Sequence, residues 1–154
     1  MSSGFQVLLA EDEVTIAETL TDALTDAGHT VLKAATTDAA LELLDDRNPE
    51  LVLTDVRMPG EGGMAILRRS LERDPDRPVI IFTGFATVDQ AVEAMGEGAA
   101  WYVQKPFSNE AMVQLVGRFG AHRRAAAENR ELKRELAHFK SIEGMVGSLS
   151  LIHI

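Results

Sequence analysis

Five short apolar runs punctuate the first two thirds of this chain, and each leads into a helix-like segment. The runs are FQVLLA (5–10), TVLKA (30–34), residues 50–54, VIIFT (79–83) and WYVQ (101–104). Apolar runs of this length, bounded by turn residues, suit strands covered on both faces. Between them apolar residues recur at helical spacing. Ile16, Leu20, Ala23, Leu24 and Ala27 lie ahead of a stop at Gly28. In 36-TTDAALELLDD-46 a Thr caps a helix whose inward face carries Ala40, Leu41 and Leu44. Met64, Ile66, Leu67 and Leu71 follow the turn PGEGG (59–63), and Val88, Ala91, Val92 and Met95 precede MGEGAA. Pro49, Pro75 and Pro78 mark breaks. Ser108, with Glu110 two places on, opens a last helix. Strand alternating with helix five times predicts a doubly wound α/β fold, a five-stranded parallel sheet with helices on both faces. VIIFT, the most apolar run, is expected in the middle of that sheet.

A chain of 154 residues, 45% hydrophobic and 25% charged, buries a core of its own without staples. It has no cysteine, which fits a reducing, cytoplasmic setting. The N-terminus MSSGFQVLLAEDE has no basic lead, so it does not read as a signal peptide, and no apolar stretch is long enough for a bilayer. The net charge of −9 argues against a general nucleic-acid surface. Residues 118–140 differ in character, holding Arg118, Arg123, Arg124, Arg130, Lys133, Arg134 and Lys140.

In parallel sheets of this kind, ligands sit beyond the carboxyl ends of the strands. The residues expected there are Glu11, Asp12 and Glu13 after strand one, Asp55 after strand three, Thr83 after strand four and Lys105 after strand five. Taken singly each has a plain explanation. An Asp after a strand is a turn former, a Lys before Pro is a solvated cation, and Thr favours strands. Taken together they converge. Three carboxylates held close repel one another, and a hard cation such as Mg2+ removes that cost. Lys105 on the far side and the Thr83 hydroxyl complete a site suited to a phosphoryl group on Asp55 as nucleophile.

These residues resemble the receiver domain of bacterial two-component response regulators. The acidic pair Glu11-Asp12, Asp55 in DVRMPG, Thr83-Gly84 and Lys105-Pro106-Phe107 carry the resemblance, over about residues 5–121. It implies a flavodoxin-like sheet of order 2-1-3-4-5. It implies that a histidine kinase phosphorylates Asp55. It implies that Asp12, Asp55 and the Arg57 backbone carbonyl bind Mg2+ (Mn2+ as an alternative), with Glu11 acting through water. Thr83 and Lys105 are expected on the phosphoryl oxygens, the Lys105-Pro106 bond is expected to be cis, and Tyr102 is expected to be a switch residue turning inward on phosphorylation. Gly84 stands where Ala is more usual. Trp101 beside Tyr102 is a further departure, and Arg57 and Phe85 border the expected path of the hydrolytic water.

The last helix is expected to run on, because residues 110–140 contain no proline. From Ala125 a heptad places Ala125, Asn129, Leu132, Leu136 and Phe139 at d, a, d, a, d, with Glu128 and Glu135 at g and Lys133 and Lys140 at e. That pattern predicts a parallel homodimer, with Asn129 fixing its register. Interleaved Glu128, Glu131 and Glu135 argue against direct nucleic-acid binding by the same helix. Met145-Val146-Gly147-Ser148 then resembles the opening of the ATPase that follows the receiver in sigma-54 activators of the nitrogen-regulation type. The expected organisation is a receiver over 1–121, a helical dimerisation linker over 122–141, and the start of a missing output domain or a tail over 142–154. The output ATPase and DNA-binding domains are expected to lie outside this chain. A stand-alone receiver, or a pseudo-receiver working without phosphorylation, is the alternative. A haloacid-dehalogenase-type phosphatase needs an acid where Arg57 stands, and a flavodoxin-like cofactor carrier would find Glu11-Asp12-Glu13 repelling its phosphate.

Overall fold

A computed structural model describes residues 4–84 and 88–146, without the side chains of Val88, Glu135 and residues 137–146. The elements run β1 (Gln6–Ala10), α1 (Val14–Asp26), β2 (Thr30–Ala34), α2 (Thr37–Arg47), β3 (Leu51–Asp55), α3 (Gly63–Arg73), β4 (Val79–Thr83), α4 (Val88–Gly96), β5 (Trp101–Gln104) and α5 (Asn109–Val146). The chain divides into two compact units, 1–120 and 121–154.

The first unit is a parallel sheet of order β2-β1-β3-β4-β5. Side chains alternate across a strand, so each strand feeds two cores. Leu8, Ala10, Val52 and Ile81 meet α2, α3 and α4 through Ala40, Leu44, Ile66, Leu67 and Ala94. Val7, Leu9, Leu51, Leu53, Ile80 and Phe82 meet α1 and α5 through Leu20, Leu24, Met112 and Val116. Every residue of β3 and β4 is buried, as strands sandwiched between two helix layers must be.

Four details depart from the sequence expectation. The central strand is β3, with β4 beside it, because apolar content alone does not separate two strands that are both covered on both faces. β3 also begins and ends one residue later than expected, so Asp55 lies inside the ladder, opposite Phe82. In α4 the buried residue is Ala94, while Val92 and Met95 are 64% and 43% exposed. A short helix with apolar residues on most of its circumference offers two overlapping stripes, and the smaller Ala94 is the one that lets it sit close to the sheet. In α2 Thr37 is buried alongside Ala40 and Leu44, whereas Leu41 is half-buried.

At the edge away from the strands' carboxyl ends, one arginine ties three segments together. Arg77 is 2% exposed. Its guanidinium donates to the Pro49 carbonyl (2.8 Å), to Ser70 Oγ (3.1 Å) and to Asn48 Oδ1 (2.6 Å). Asn48 ends α2 in the left-handed region at φ 48°, which turns its side chain back toward that arginine.

Candidate functional site

β1 and β3 are neighbours, and the chain leaves them toward opposite sides of the sheet, so a crevice opens between their carboxyl ends. Glu11 and Asp12 follow β1, and Asp55 is the last residue of β3. One carboxylate oxygen from each lies within 4.8 Å of the others. Glu11 and Asp55 are buried and Asp12 is exposed, so the cluster has a closed floor and an open mouth. Lys105 leaves β5 after a main-chain bond from its N–H to the Thr83 carbonyl (2.9 Å). The peptide bond between Lys105 and Pro106 is cis, as expected.

Lys105 is closer to the acids than a cation on the far side would be. Its Nζ lies 2.7 Å from Asp55 Oδ2, 2.9 Å from Glu11 Oε1 and 3.5 Å from Glu13 Oε1. Phe82 supports it from below, with Nζ 5.5 Å from the ring centroid, and Phe107 stands edge-on to that ring. Burial works against the lysine's charge, but its hydrogen bonds to the Asp55 and Glu11 carboxylates outweigh it and hold the ammonium protonated beyond the usual lysine range. Burial pushes the Glu11 carboxyl up, and the charge of Asp55 adds to the push, while the Glu13 N–H and Lys105 pull the other way. Glu11 Oε2 accepts from the Glu13 N–H (3.0 Å). Its partner oxygen, Glu11 Oε1, is buried and ion-paired with the Lys105 ammonium at 2.9 Å. Three carboxylates within 4.8 Å of one another, balanced by a single lysine, are a donor set that suits a hard divalent cation.

Asp55 is held at both oxygens. Oδ2 takes Lys105, and Oδ1 accepts from the Arg57 N–H (2.9 Å). Arg57 is an exposed residue, and the group it brings to Asp55 is its backbone N–H. Gly63 makes the tight return after Asp55 possible: a Cβ there would stand 2.2 Å from the Asp55 carbonyl oxygen. Gly84 is not forced in the same way, since a Cβ there would meet the Lys105 side chain at an ordinary 3.8 Å. Thr83 is buried at the end of β4. Tyr102 packs against the α2–α3–α4 side of the core, and its hydroxyl is buried, with no hydrogen-bond partner among the described residues, instead of reaching water. Burial, and then the charge of Asp55, raise its pKa.

The expected residues Glu11, Asp12, Asp55 and Lys105 are thus brought together, with Thr83 one strand away. Phe85 lies outside the described residues. Glu13, expected at this edge with the acidic pair, does reach Lys105, whereas Phe82 and Thr37 were missed as parts of the site's surroundings. Nothing local in the sequence marks those two. In the second unit Ala125, Asn129, Leu132 and Leu136 are exposed along α5, the two leucines at 58% and 57%. The side chain of Phe139 lies outside the described residues. Among the described residues no helix is long and apolar enough to cross a membrane.

The resemblance extends to known proteins. The chain is 40% identical over 142 residues to the C4-dicarboxylate transport transcriptional regulatory protein DctD of Pseudomonas aeruginosa, covering 90% of this chain and 30% of that protein. It is 38% identical over 116 residues to the DNA-binding transcriptional regulator NtrC of Escherichia coli K12, covering 75% and 25%. The chain therefore spans less than a third of these relatives' length. The crystal structure of the receiver domain of NtrX from Brucella abortus superposes with a TM-score of 0.69 at 31% identity, over 75% of this chain and 98% of that one. Residues 7–117 match the response regulator receiver domain, and with the sheet order and the acid–lysine constellation at its carboxyl edge this chain belongs to that family.

Proposed function

We propose that this chain is the phosphoacceptor unit of a two-component response regulator, and that Asp55 takes its phosphoryl group from a sensor histidine kinase. The observation that carries the reading is the Asp55 carboxylate. It is 5% exposed, fixed by Lys105 and the Arg57 N–H, and faced by Glu11 and Asp12. In the transfer an Asp55 oxygen attacks phosphorus, the phosphorus–nitrogen bond of the phosphohistidine breaks, and the electron pair stays on the imidazole, which leaves neutral after taking up a proton. Glu11, Asp12, Asp55 and the Arg57 carbonyl would hold Mg2+, or Mn2+ in its place. Bound there, the ion supplies neutralisation of charge on the transferring oxygens. Lys105 exchanges its contact with Asp55 for one with the phosphoryl oxygens, and the Thr83 hydroxyl donates to another. A groove of about 490 Å³ beside Lys105, lined by Ile16, Thr19, Pro106 and Phe107, gives a protein donor access from the α1 side.

In this reading the protein is a cytoplasmic switch and not a turnover enzyme. Thr83 and Tyr102 pass the charge on Asp55 to the α4–β5 surface. The organisation is a receiver over 1–121, a dimerisation helix over 122–141 using Ala125, Asn129, Leu132, Leu136 and Phe139, and the threshold of an output domain over 142–154. The names of the two relatives support a role in transcription regulation, and the resemblance of Met145-Val146-Gly147-Ser148 to the opening of a sigma-54 activator's ATPase supports such an activator as the output. Incubation with acetyl phosphate and Mg2+ tests the core of this. The expected result is a mass gain of one phosphate that Asp55→Asn abolishes; no gain in the wild-type protein refutes phosphoacceptance and favours a pseudo-receiver.

A further inference from the structure

The loop from Asp55 to α3 is fastened from a neighbouring helix. Thr37, at the first turn of α2, is 1% exposed. Its backbone N–H donates to the Pro59 carbonyl (2.9 Å), and its Oγ1 accepts from the buried Gly62 N–H (2.9 Å). The hydroxyl is not occupied with capping its own helix, because Thr36 does that by accepting from the Ala39 N–H (3.1 Å). The loop's tip rests on the same side chain: a Cβ on Gly60, at φ 101°, would lie 3.0 Å from Thr37 Cβ. The loop closes on itself through Gly63 N–H to the Val56 carbonyl (2.9 Å). A main-chain donor stands where its loop stands, and the donor in question is the Arg57 N–H on Asp55 Oδ1. Lys105, on the other oxygen, is a long side chain that follows the carboxylate wherever it turns.

We propose that Thr37 is a positioning residue for the Asp55 carboxylate, acting through the loop 57–62 and the Arg57 N–H. The proposal rests on the reading of Asp55 as phosphoacceptor. Removing the hydroxyl leaves the Gly62 N–H buried without an acceptor, so the loop must shift to find one, and the Arg57 donor shifts with it. The carboxylate then turns away from the orientation in which it meets phosphorus and the metal.

The test uses the whole 154-residue chain as wild type, Thr37→Val and Thr37→Ser. Three quantities are measured on each: the rate of phosphoryl incorporation from acetyl phosphate, the Mn2+ dissociation constant by water-proton relaxation, and the Arg57 amide resonance. Thr37→Val is expected to slow phosphorylation and weaken Mn2+ binding by about tenfold, the low end for an outer hydrogen-bond partner of a metal ligand. It is also expected to move the Arg57 amide upfield, while Thr37→Ser, which keeps the acceptor, matches wild type in all three. A folded Thr37→Val with wild-type rate, affinity and Arg57 resonance overturns the proposal, whatever its melting temperature. So does a folded Thr37→Ser that is slow. If Thr37→Val does not fold, Thr37→Ala deletes the same hydroxyl with less bulk and is held to the same outcomes. A wild-type protein that neither gains phosphate nor binds Mn2+ refutes instead the reading of Asp55.

Discussion

Lys105 touches Asp55, Glu11 and Glu13 before any phosphate arrives, and that arrangement decides how the individual acids behave. Glu11 is the acid that burial penalises most plainly. Its pKa is raised above the ordinary 4.5, so the folded protein prefers it neutral. At neutral pH its charge therefore costs stability, and the cost disappears once pH falls below the unfolded-state value. In metal-free buffer Glu11→Gln is expected to melt higher than wild type at pH 7, by roughly 2–4 °C per kcal/mol relieved. The gain should shrink as pH approaches 4.5. Saturating Mg2+ should reverse the order, since wild type then gains a ligand that the variant lacks. Thermal melts across pH check the first part; a variant that melts lower at pH 7 would mean the pairing with Lys105 outweighs the desolvation.

Elements report how far sequence patterning reaches. The sheet was legible because β1, β3 and β4 each carry three or four consecutive apolar residues and because glycines and prolines sit where chains turn. The site was legible because its acids and lysine fall at strand ends, where topology gathers them. The inward face of α4 was not legible, since period alone does not choose between a stripe through Val92 and Met95 and one through Ala94. Contacts between distant segments left no local mark either. Thr37 meets Gly62 across 25 residues, and Arg77 meets Pro49 across 28. Arg77 reads as a surface cation in RDPDRPV, yet it fastens the end of α2, the approach to β3 and the last turns of α3. Arg77→Met is expected to cost about 2–4 kcal/mol, because it leaves the buried Pro49 carbonyl and Ser70 hydroxyl without that donor. Urea unfolding should show a lower midpoint at unchanged slope. Phosphorylation of Asp55 in the folded variant should proceed at the wild-type rate.

At the scale of the whole molecule, the exposed leucines on α5 carry the expectation of self-association. Leu132 and Leu136 are each more than half exposed, and Asn129 shares their heptad face. Sedimentation equilibrium of the wild-type chain is expected to show a dimer, and Leu132→Asp combined with Leu136→Asp is expected to be monomeric with its phosphorylation intact. A wild-type monomer at high concentration removes that helix from the signalling scheme. The edge fastened by Arg77 has a different use. Three segments there share one buried guanidinium, while Asp55 and its acidic neighbours lie at the opposite edge. A probe attached at exposed Asp76, next to Arg77, is therefore a fiducial mark. Against that mark, spectroscopy at Tyr102 or α4 tests whether the proposed switch displaces them, free of tumbling of the label.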